Sequence, residues 1–347
     1  MTIKMKSLVG ALALTLAAIG QAQAQQTPSA ATQAVPVTVE NFARAESDMY
    51  FADHVRQGMF GKIVHIREVA PVDNKGVVRP NRDTLYSLGV FDLDAAPLTI
   101  TLPDAKRYMA LQVISEDHYV PEVAYAPGKV TITRKMVGTR YAMIAIRTLV
   151  NPADPKDVEK VHQLQDAIKV SQATAGKFEE PDWDQVSQKK VREALLVLAS
   201  TLPDFRHAFG TRTEVDPVRH LLGTAAAWGG NPDKDAIYLN VTPPKNNGST
   251  QYRLKVKDVP VDGFWSVTVY NSQGRFEPNP YNAYSLNNIT ATKGDDGAIT
   301  VQFGGCDGKV PNCLPIMPGW NYTVRLYRPH EAVLKGTWTF PQPQAMQ

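Results

Sequence analysis

Short strand-like segments separated by turn residues fill both halves of the chain and limit the folds open to it. Each segment is continuously apolar or alternates apolar and polar residues over five to seven positions, a pattern typical of β-strands. Turn signals such as Pro127-Gly128 and Asp295-Asp296-Gly297 favour antiparallel sandwiches or barrels over alternating β-α-β units. The predicted strands are 85–91, 98–102, 108–114, 129–134, 141–146, 236–241, 252–256, 264–270, 298–303 and 322–327.

A helical stretch separates the two strand-rich regions. Asp154-Pro155 and Asp216-Pro217 each place a capping residue before a proline at the first helical position. A third helix is predicted from about 184 to 200. The predicted fold class is therefore mainly β with a helical segment, in which two β-sandwich or jelly-roll-like domains flank helices. The expected parts are a β domain with a leading helix at 37–150, a helical segment at 151–230 and a second β domain at 231–342.

The first residues have the pattern of an export signal. Lys4 and Lys6 precede an apolar stretch that is too short to span a bilayer, and Ala22-Gln23-Ala24 fits a cleavage site. We expect a signal peptide at 1–24, a disordered polar leader at 25–36 and no transmembrane segment after signal removal. The protein is then periplasmic or secreted.

Charge argues against nucleic acid as a partner. The chain has 37 basic and 34 acidic side chains, and two of the basic ones, Lys4 and Lys6, are in the predicted signal. The expected mature protein is therefore close to neutral, whereas nucleic-acid binding requires a concentrated basic surface.

Cys306 and Cys313 are the only cysteines and lie seven positions apart. In an oxidising compartment two such cysteines favour a disulfide, which would stabilise the fold by roughly 2–3 kcal/mol. A redox or metal pair is the alternative, but the C-x-x-C spacing and an adjacent histidine are missing. We predict a structural disulfide.

A polar loop that leads into the first long strand holds the main candidates for chemistry. It contains Asn81, Arg82, Asp83 and Thr84, and Tyr86 follows on the strand. An arginine beside an aspartate can hold a carboxylate or phosphate through paired hydrogen bonds, while the aspartate accepts a proton. The alternative is that Asp83 and Thr84 cap backbone groups at a turn and that Arg82 pairs locally.

A second polar segment, residues 115–119, follows the predicted strand 108–114 and contains His118. If the two strands are neighbours, His118 could meet Asp83 and form an acid–base pair. The alternative is a solvated loop with an incidental histidine. The enzyme hypothesis assigns catalytic roles to Asp83, His118 and Arg82, and it expects the first two within hydrogen-bond reach.

Aromatic residues are frequent in the C-terminal half, and Trp265, Tyr270 and Tyr281 with asparagine neighbours would suit a sugar-binding face. Core packing is the alternative explanation for such residues. Arg325 lies on a predicted strand, either solvated or paired, with Asp262 as a candidate partner. The residues assigned to binding are Asn81, Thr84, Tyr86, Trp265, Tyr270 and Arg325.

The usual signatures of cofactor and metal chemistry are missing from the sequence. It contains no G-x-G-x-x-G or Walker A segment, no G-x-S-x-G elbow and no clustered Cys/His ligands. We therefore expect no cofactor and no metal site.

Residues 79–92 resemble the signature of the bacterial domain-of-unknown-function family 1254, an Asn-x-Asp-Thr-Leu-Tyr-Ser segment leading into a strand that ends in Asp-Leu. The C-terminal half resembles its usual companion, family 1214, through residues 262–271 and the later Arg325-Leu326-Tyr327 and Gly336-Thr337-Trp338. Where that pattern reads Asn-Trp-Leu-Pro, this chain has Asn312-Cys313-Leu314-Pro315, which fits a disulfide in place of the tryptophan. The resemblance implies a two-domain β-rich architecture and no settled reaction.

Two classes of function stay open from the sequence. One is a hydrolase or lyase acting on a small or glycan-like substrate, and the other is a non-catalytic envelope-associated or carbohydrate-binding protein. In both, the expected partner is a small-molecule or glycan ligand, and unpaired strand edges favour a homo-oligomer.

Overall fold

The computed structural model describes residues 34–73 and 78–346. The predicted signal peptide at 1–24 and most of the predicted leader at 25–36 lie outside these residues. The end of the leader lies inside them, and Val35 forms a parallel bridge with Trp183. Val35, near the end of the predicted leader, is therefore paired with the segment that precedes α4.

The N-terminal half is a helix followed by strands, some of which pair with sequence neighbours and others with strands farther along the chain. Its sheet of five strands has the order β1-β2-β7-β4-β5, and every pair in it is antiparallel. The elements are α1 (Phe42–Arg56), β1 (Val64–Ile66), β2 (Thr84–Asp92), β3 (Leu98–Leu102), β4 (Met109–Ser115), β5 (Glu122–Tyr125), β6 (Gly128–Ile132), α2 (Arg134–Val137) and β7 (Tyr141–Leu149).

The middle segment is helical, as predicted, but it also supplies a strand. Its elements are α3 (Pro155–Asp166), β8 (Lys169–Gln172), α4 (Gln185–Ala199) and α5 (Pro217–Ala226). Asp154 caps α3 by accepting from the backbone N–H of Lys156, and Asp216 caps α5 by accepting from that of Arg219. The strand β8 completes a three-stranded sheet in the order β6-β3-β8. Its exposed side chains carry little strand signal.

The C-terminal half contains two sheets of four strands. Their orders are β12-β11-β15-β9 and β14-β13-β10-β16. The elements are β9 (Ala236–Val241), β10 (Tyr252–Val256), β11 (Trp265–Tyr270), β12 (Ser285–Asn287), β13 (Ile299–Phe303), β14 (Cys313–Leu314), β15 (Asn321–Tyr327), α6 (Glu331–Leu334) and β16 (Gln344–Ala345).

Each half buries a hydrophobic core to which two of its sheets contribute. In the N-terminal half, Ile100 of β3 and Ile132 of β6 join Ile144 of β7 in one cluster. In the C-terminal half, Leu254 of β10 and Val324 of β15 share another. Across the described residues the fold is thus mixed but strand-rich, with four sheets and six helices and no sheet closed on itself.

Aromatic side chains join the two halves. The ring centroids of Phe264 and Tyr327 stack at 4.2 Å, and the ring of Tyr108 meets Phe264 edge-on at 5.1 Å. Gly263 permits this contact, because a Cβ there would lie 2.7 Å from the Tyr327 carbonyl oxygen. Among the described residues no helix has the length and apolarity that crossing a bilayer requires.

The predicted disulfide between Cys306 and Cys313 is present, with its Cα atoms 5.6 Å apart. It joins the start of β14 to the loop that follows β13. We expect the variant with both Cys306→Ser and Cys313→Ser to lose about 2–3 kcal/mol in the free energy of unfolding, because the unfolded chain regains the entropy of the open loop. Urea unfolding with and without reductant measures this. Reductant should leave the free energy of unfolding of the variant unchanged. If reductant lowers that free energy as much in the variant as in the wild type, the assignment of the disulfide is wrong.

Candidate functional site

The polar loop before β2 is held by side chains of the C-terminal half. The Tyr270 hydroxyl donates to the carbonyl oxygen of Pro80 at 2.8 Å, and a terminal nitrogen of Arg325 donates to that of Arg79 at 2.9 Å. Arg79 has a positive φ of 50°, which costs energy for a residue with a side chain. These bonds fix the loop against the sheet that contains β11 and β15.

Asp83 anchors the end of the same loop. Its side chain is buried, and its Oδ1 accepts from Ser285 Oγ at 2.9 Å and from Asn287 Nδ2 at 3.1 Å. Its Oδ2 is buried without a hydrogen-bond partner in the described part of the chain. The contacts of Asp83 are therefore those of a bridge to β12.

A cleft of about 260 Å³ opens between this loop, the two sheets that it joins and the end of α5. It receives polar side chains from both sheets and apolar ones from the helical segment. The polar lining consists of Arg79, Asn81, Tyr86, Arg147, Tyr238, Asn240, Thr323, Arg325 and Tyr327, and the apolar side chains of the helical segment are Phe205, Phe209, Ala226, Ala227 and Trp228.

Strand register places an arginine beside a tyrosine on each side of the cleft. Tyr86 of β2 is the antiparallel partner of Arg147 of β7, and Tyr238 of β9 is that of Arg325 of β15. Directly opposed residues project from the same face of a sheet, so each guanidinium lies next to a phenol. The Arg147 guanidinium lies over the Tyr86 ring, 5.5 Å from its centroid.

Arg147 is a buried charge held by neutral oxygens. Its terminal nitrogens donate to Gln112 Oε1 at 2.6 Å and to the Gly229 carbonyl oxygen at 3.0 Å. Burial alone would lower the pKa of Arg147, but the neighbouring phenols, led by Tyr86 and then Tyr238, raise it overall. The guanidinium is therefore charged, and no carboxylate of the described residues lies within ion-pair distance of it.

Asn81 connects two phenols inside the cleft. Its Nδ2 lies 3.2 Å from the Tyr327 hydroxyl and 3.5 Å from the Tyr86 hydroxyl. Burial raises the pKa of Tyr86, but the Arg147 charge and hydrogen bonds from Arg147, Thr84 and Asn81 outweigh it and lower that pKa overall. Burial and then the neighbouring Tyr238 raise the pKa of Tyr327 well above its ordinary value. Two phenols with opposite shifts thus face one cleft.

His118 is buried and makes no hydrogen bond to Asp83. Its Nε2 accepts from the Gly229 backbone N–H at 2.8 Å, so its Nδ1 carries the proton and donates to Thr224 Oγ1 at 2.8 Å. Burial, with a smaller effect of His220, lowers the pKa of His118 well below its ordinary value. Both ring nitrogens are occupied, so the expected Asp83–His118 hydrogen bond is absent, and the catalytic roles remain predictions.

A column of stacked rings contains His118. Trp228 stacks on Tyr50 at 4.4 Å and on His118 at 5.3 Å, and His220 stacks on His118 at 5.6 Å and on Tyr119 at 4.5 Å. The column ties α5 and the residues after it to α1. The contacts of His118 are those of a packed core histidine.

The structure places the other predicted residues in three environments. Arg82 lies outside the cleft, donates to the Ala70 carbonyl oxygen and packs over the rings of Phe276 and Tyr284. Burial lowers its pKa. Thr84 is buried and accepts from Asn81, whereas Asn81 and Tyr86 line the cleft.

Of the aromatic candidates for a sugar face, Trp265 and Tyr270 are buried, and Tyr281 is exposed over 42% of its surface. The rings of Trp265 and Tyr270 therefore offer no open face for a sugar. Arg325 does line the cleft, and it donates to Thr268 and Tyr270. The expected partner, Asp262, instead contacts His330.

Of the nine polar residues that line the cleft, the sequence interpretation did not assign six, which are Arg79, Arg147, Tyr238, Asn240, Thr323 and Tyr327. Arg147 interrupts an otherwise apolar run, Tyr141–Leu149, and such a charge inside a buried strand was the available signal. Tyr238 and Tyr327 carried no chemical signal of their own. In the described part of the chain, no group of three His, Cys, Asp or Glu side chains could hold a metal ion.

Fold and site together define a strand-rich protein with a small cleft lined by arginines and tyrosines. The chain carries the two predicted family regions. Residues 60–131 match the family model described as protein of unknown function DUF1254, and residues 241–331 match protein of unknown function DUF1214. The predicted resemblance is therefore confirmed, with the first region N-terminal to the second.

Solved structures share the fold. The VPA0106 protein from Vibrio parahaemolyticus is similar with a TM-score of 0.69 at 18% identity, covering 89% of this chain and 98% of that one. A putative uncharacterized protein from Burkholderia cenocepacia is similar with a TM-score of 0.51 at 13% identity, covering 89% and 87%. No curated protein matches the chain. At these identities the likeness concerns the fold.

The lowered pKa of Tyr86 gives a direct test. We expect the phenolate absorbance of the wild type minus that of Tyr86→Phe to show one ionisation below the ordinary tyrosine pKa of about 10. Because the folded-state pKa is depressed, the wild type should gain stability over Tyr86→Phe as pH rises from the folded to the unfolded pKa. Tyr281→Phe, which removes an exposed ring, is the control. If the ionisation that Tyr86→Phe removes lies at or above about pH 10, the expectation is wrong.

Asp83 makes a second test. Asp83→Ala leaves the Ser285 and Asn287 donors unpaired and removes a negative charge near Arg325, so we expect a loss of about 2–4 kcal/mol in the free energy of unfolding. Asp83→Asn retains an acceptor oxygen and should lose less. Exposed Asp295→Ala should stay within about 0.5 kcal/mol of the wild type in urea unfolding. A loss in Asp83→Ala no larger than this control would exclude the bridge.

Proposed function

We propose that the protein is an enzyme of the lyase class whose active site is the cleft, with Tyr86 as base and Tyr327 as acid. One observation carries the proposal: two phenols with opposite pKa shifts contact the same amide, Asn81, on the cleft wall. Environments that push the pKa values of two neighbouring groups apart are how proteins assign base and acid.

The proposed reaction is an elimination. The Tyr86 phenolate takes a proton from a substrate carbon, the C–H electron pair becomes a new double bond, and the bond from the next carbon to its leaving group breaks. Tyr327 gives its proton to that leaving group. Solvent then exchanges protons with both phenols and restores the starting state. Arg147, beside Tyr86, favours the phenolate.

We also propose finer features that the sequence pattern suggests. The shared cores of paired sheets support a two-layer β-sandwich arrangement in each half, with boundaries near 37–150 and 231–342. The signal-like N-terminus and the disulfide support an exported, periplasmic or secreted protein.

The second candidate is a non-catalytic binding protein. It is favoured by the contacts of Asp83 and His118, whose polar atoms serve packing and not an open site. In this case the cleft would hold its ligand through the arginines, and Tyr86 would only contribute a hydrogen bond. The two candidates differ in whether a proton moves.

Deuterium uptake separates them. In D₂O, a panel of small hydroxy acids and hydroxy ketones should exchange or eliminate with the wild type, and Tyr86→Phe should reduce the rate about 10²–10⁴-fold because the base is lost. Tyr281→Phe should keep the wild-type rate. Nuclear magnetic resonance of each compound measures both outcomes. Equal rates in Tyr86→Phe and wild type would exclude Tyr86 as the base.

A further inference from the structure

We infer that the ligand of the cleft is a small organic carboxylate, held by Arg79 and Arg147 with its body against the apolar wall. The inference rests on the proposed function only in taking the cleft as the substrate site. It adds the chemical class of the substrate, which the phenol pair alone does not specify.

The cleft contains unbalanced positive charge. Arg79, Arg147 and Arg325 all line the cleft, and no carboxylate is among its lining residues. None of the three forms an ion pair within 4.0 Å in the described part of the chain, as the pairs found there involve other arginines. A charge removed from water without a counter-charge is costly, so an anionic ligand would be stabilised here.

The contrast with other arginines shows that the fold can supply counter-charges. Arg107 pairs with Asp157 at 2.6 Å and Arg140 with Asp92 at 2.8 Å. In the cleft, by comparison, Arg147 receives only neutral acceptors. Neutral oxygens satisfy the hydrogen bonds of a guanidinium but do not cancel its charge.

The three arginines of the cleft differ in how far a nearby carboxylate compensates their charge. Burial alone would lower the pKa of Arg325, but Tyr270, Tyr327 and then the charge of Asp83 raise it overall. Asp83, however, accepts a hydrogen bond from Asn287 of β12 and does not line the cleft. Arg79 donates to Asn321 Oδ1 at 3.0 Å and, like Arg147, is paired with no carboxylate in the described ranges 34–73 and 78–346. The uncompensated charges are therefore those of Arg79 and Arg147.

The volume and lining of the cleft limit the size and shape of its ligand. A cleft of about 260 Å³ is below the usual range of about 300–1,000 Å³ for drug-sized ligands. Its apolar wall includes Phe205, which is partly exposed. It also includes Ala226, which is exposed and lies at the C-terminal end of α5. The C-terminal end of a helix carries negative partial charge, which disfavours a phosphate dianion more than a carboxylate. A compact, mostly apolar monocarboxylate fits these features.

Calorimetry with matched probes tests the inference on the full chain. The probes are benzoate and benzamide, cyclohexanecarboxylate and its amide, and phenyl phosphate. We expect each carboxylate to bind at least about tenfold more tightly than its amide, and Arg79→Gln to weaken carboxylate binding about tenfold. Arg147→Gln should do the same where its unfolding transition shows that it folds. Exposed Arg253→Gln is the matched control and should bind like the wild type.

Several results would overturn the inference. They are equal affinity for acid and amide, tighter binding of phenyl phosphate, unchanged binding in Arg79→Gln, or no carboxylate binding at about 10 mM ligand. Tyr86→Phe separates this inference from the proposed function, because it should still bind benzoate. Carboxylate binding without any Tyr86-dependent exchange would support the carboxylate ligand and exclude the lyase activity. Tyr86-dependent exchange on neutral compounds alone would support the lyase activity and exclude the carboxylate ligand.

Discussion

The attachment of one short loop to the opposite half of the molecule is the constraint on which the cleft depends. Side chains of β11 and β15 hold the carbonyl oxygens of Arg79 and Pro80, and Asp83 bonds to Ser285 and Asn287. Asn81 is thereby fixed between the two sheets, next to phenols from both. The residues that resemble a family signature are thus, in their contacts, an interface between halves, and the cleft is the space that the interface leaves.

The interface is unusual for a protein core because it buries two guanidinium groups. Arg147 and Arg325 are almost fully buried, and buried guanidinium groups are stable only where their donors are satisfied. Carbonyl, amide and phenol oxygens do this here, so the cost of desolvation is reduced without neutralising the charge. Phenols suit the role because they accept hydrogen bonds while their rings pack among apolar neighbours. The same pairing lowers the pKa of Tyr86 and makes it the chemically distinctive group of the cleft.

The local sequence was sufficient to predict the features that depend on interactions between residues close together in the chain. The long strands, the aspartate caps of α3 and α5 and the Cys306–Cys313 disulfide depend on neighbours within a few positions, and they were found. The exposed strand β8 was missed, because it is defined by pairing with β3. The site was harder, since it depends on which strands oppose each other. Asp83 was expected to form a hydrogen bond with His118. In the structure each bonds to a residue distant in sequence, Asp83 to Asn287 of β12 and His118 to Thr224 of α5.

The ring column of Tyr50, Trp228, His118, His220 and Tyr119 has a mechanical consequence. Its stacked faces connect α1 through α5 to the loop at 115–119, and Trp228 lines the cleft. Closely packed rings transmit displacement because they have little free volume to absorb it. We therefore expect Trp228, the part of the apolar wall that belongs to the column, to move together with the first helix. Any widening of the cleft is then expected on its opposite side, where hydrogen bonds and the packing of Arg82 on Phe276 and Tyr284 hold the loop.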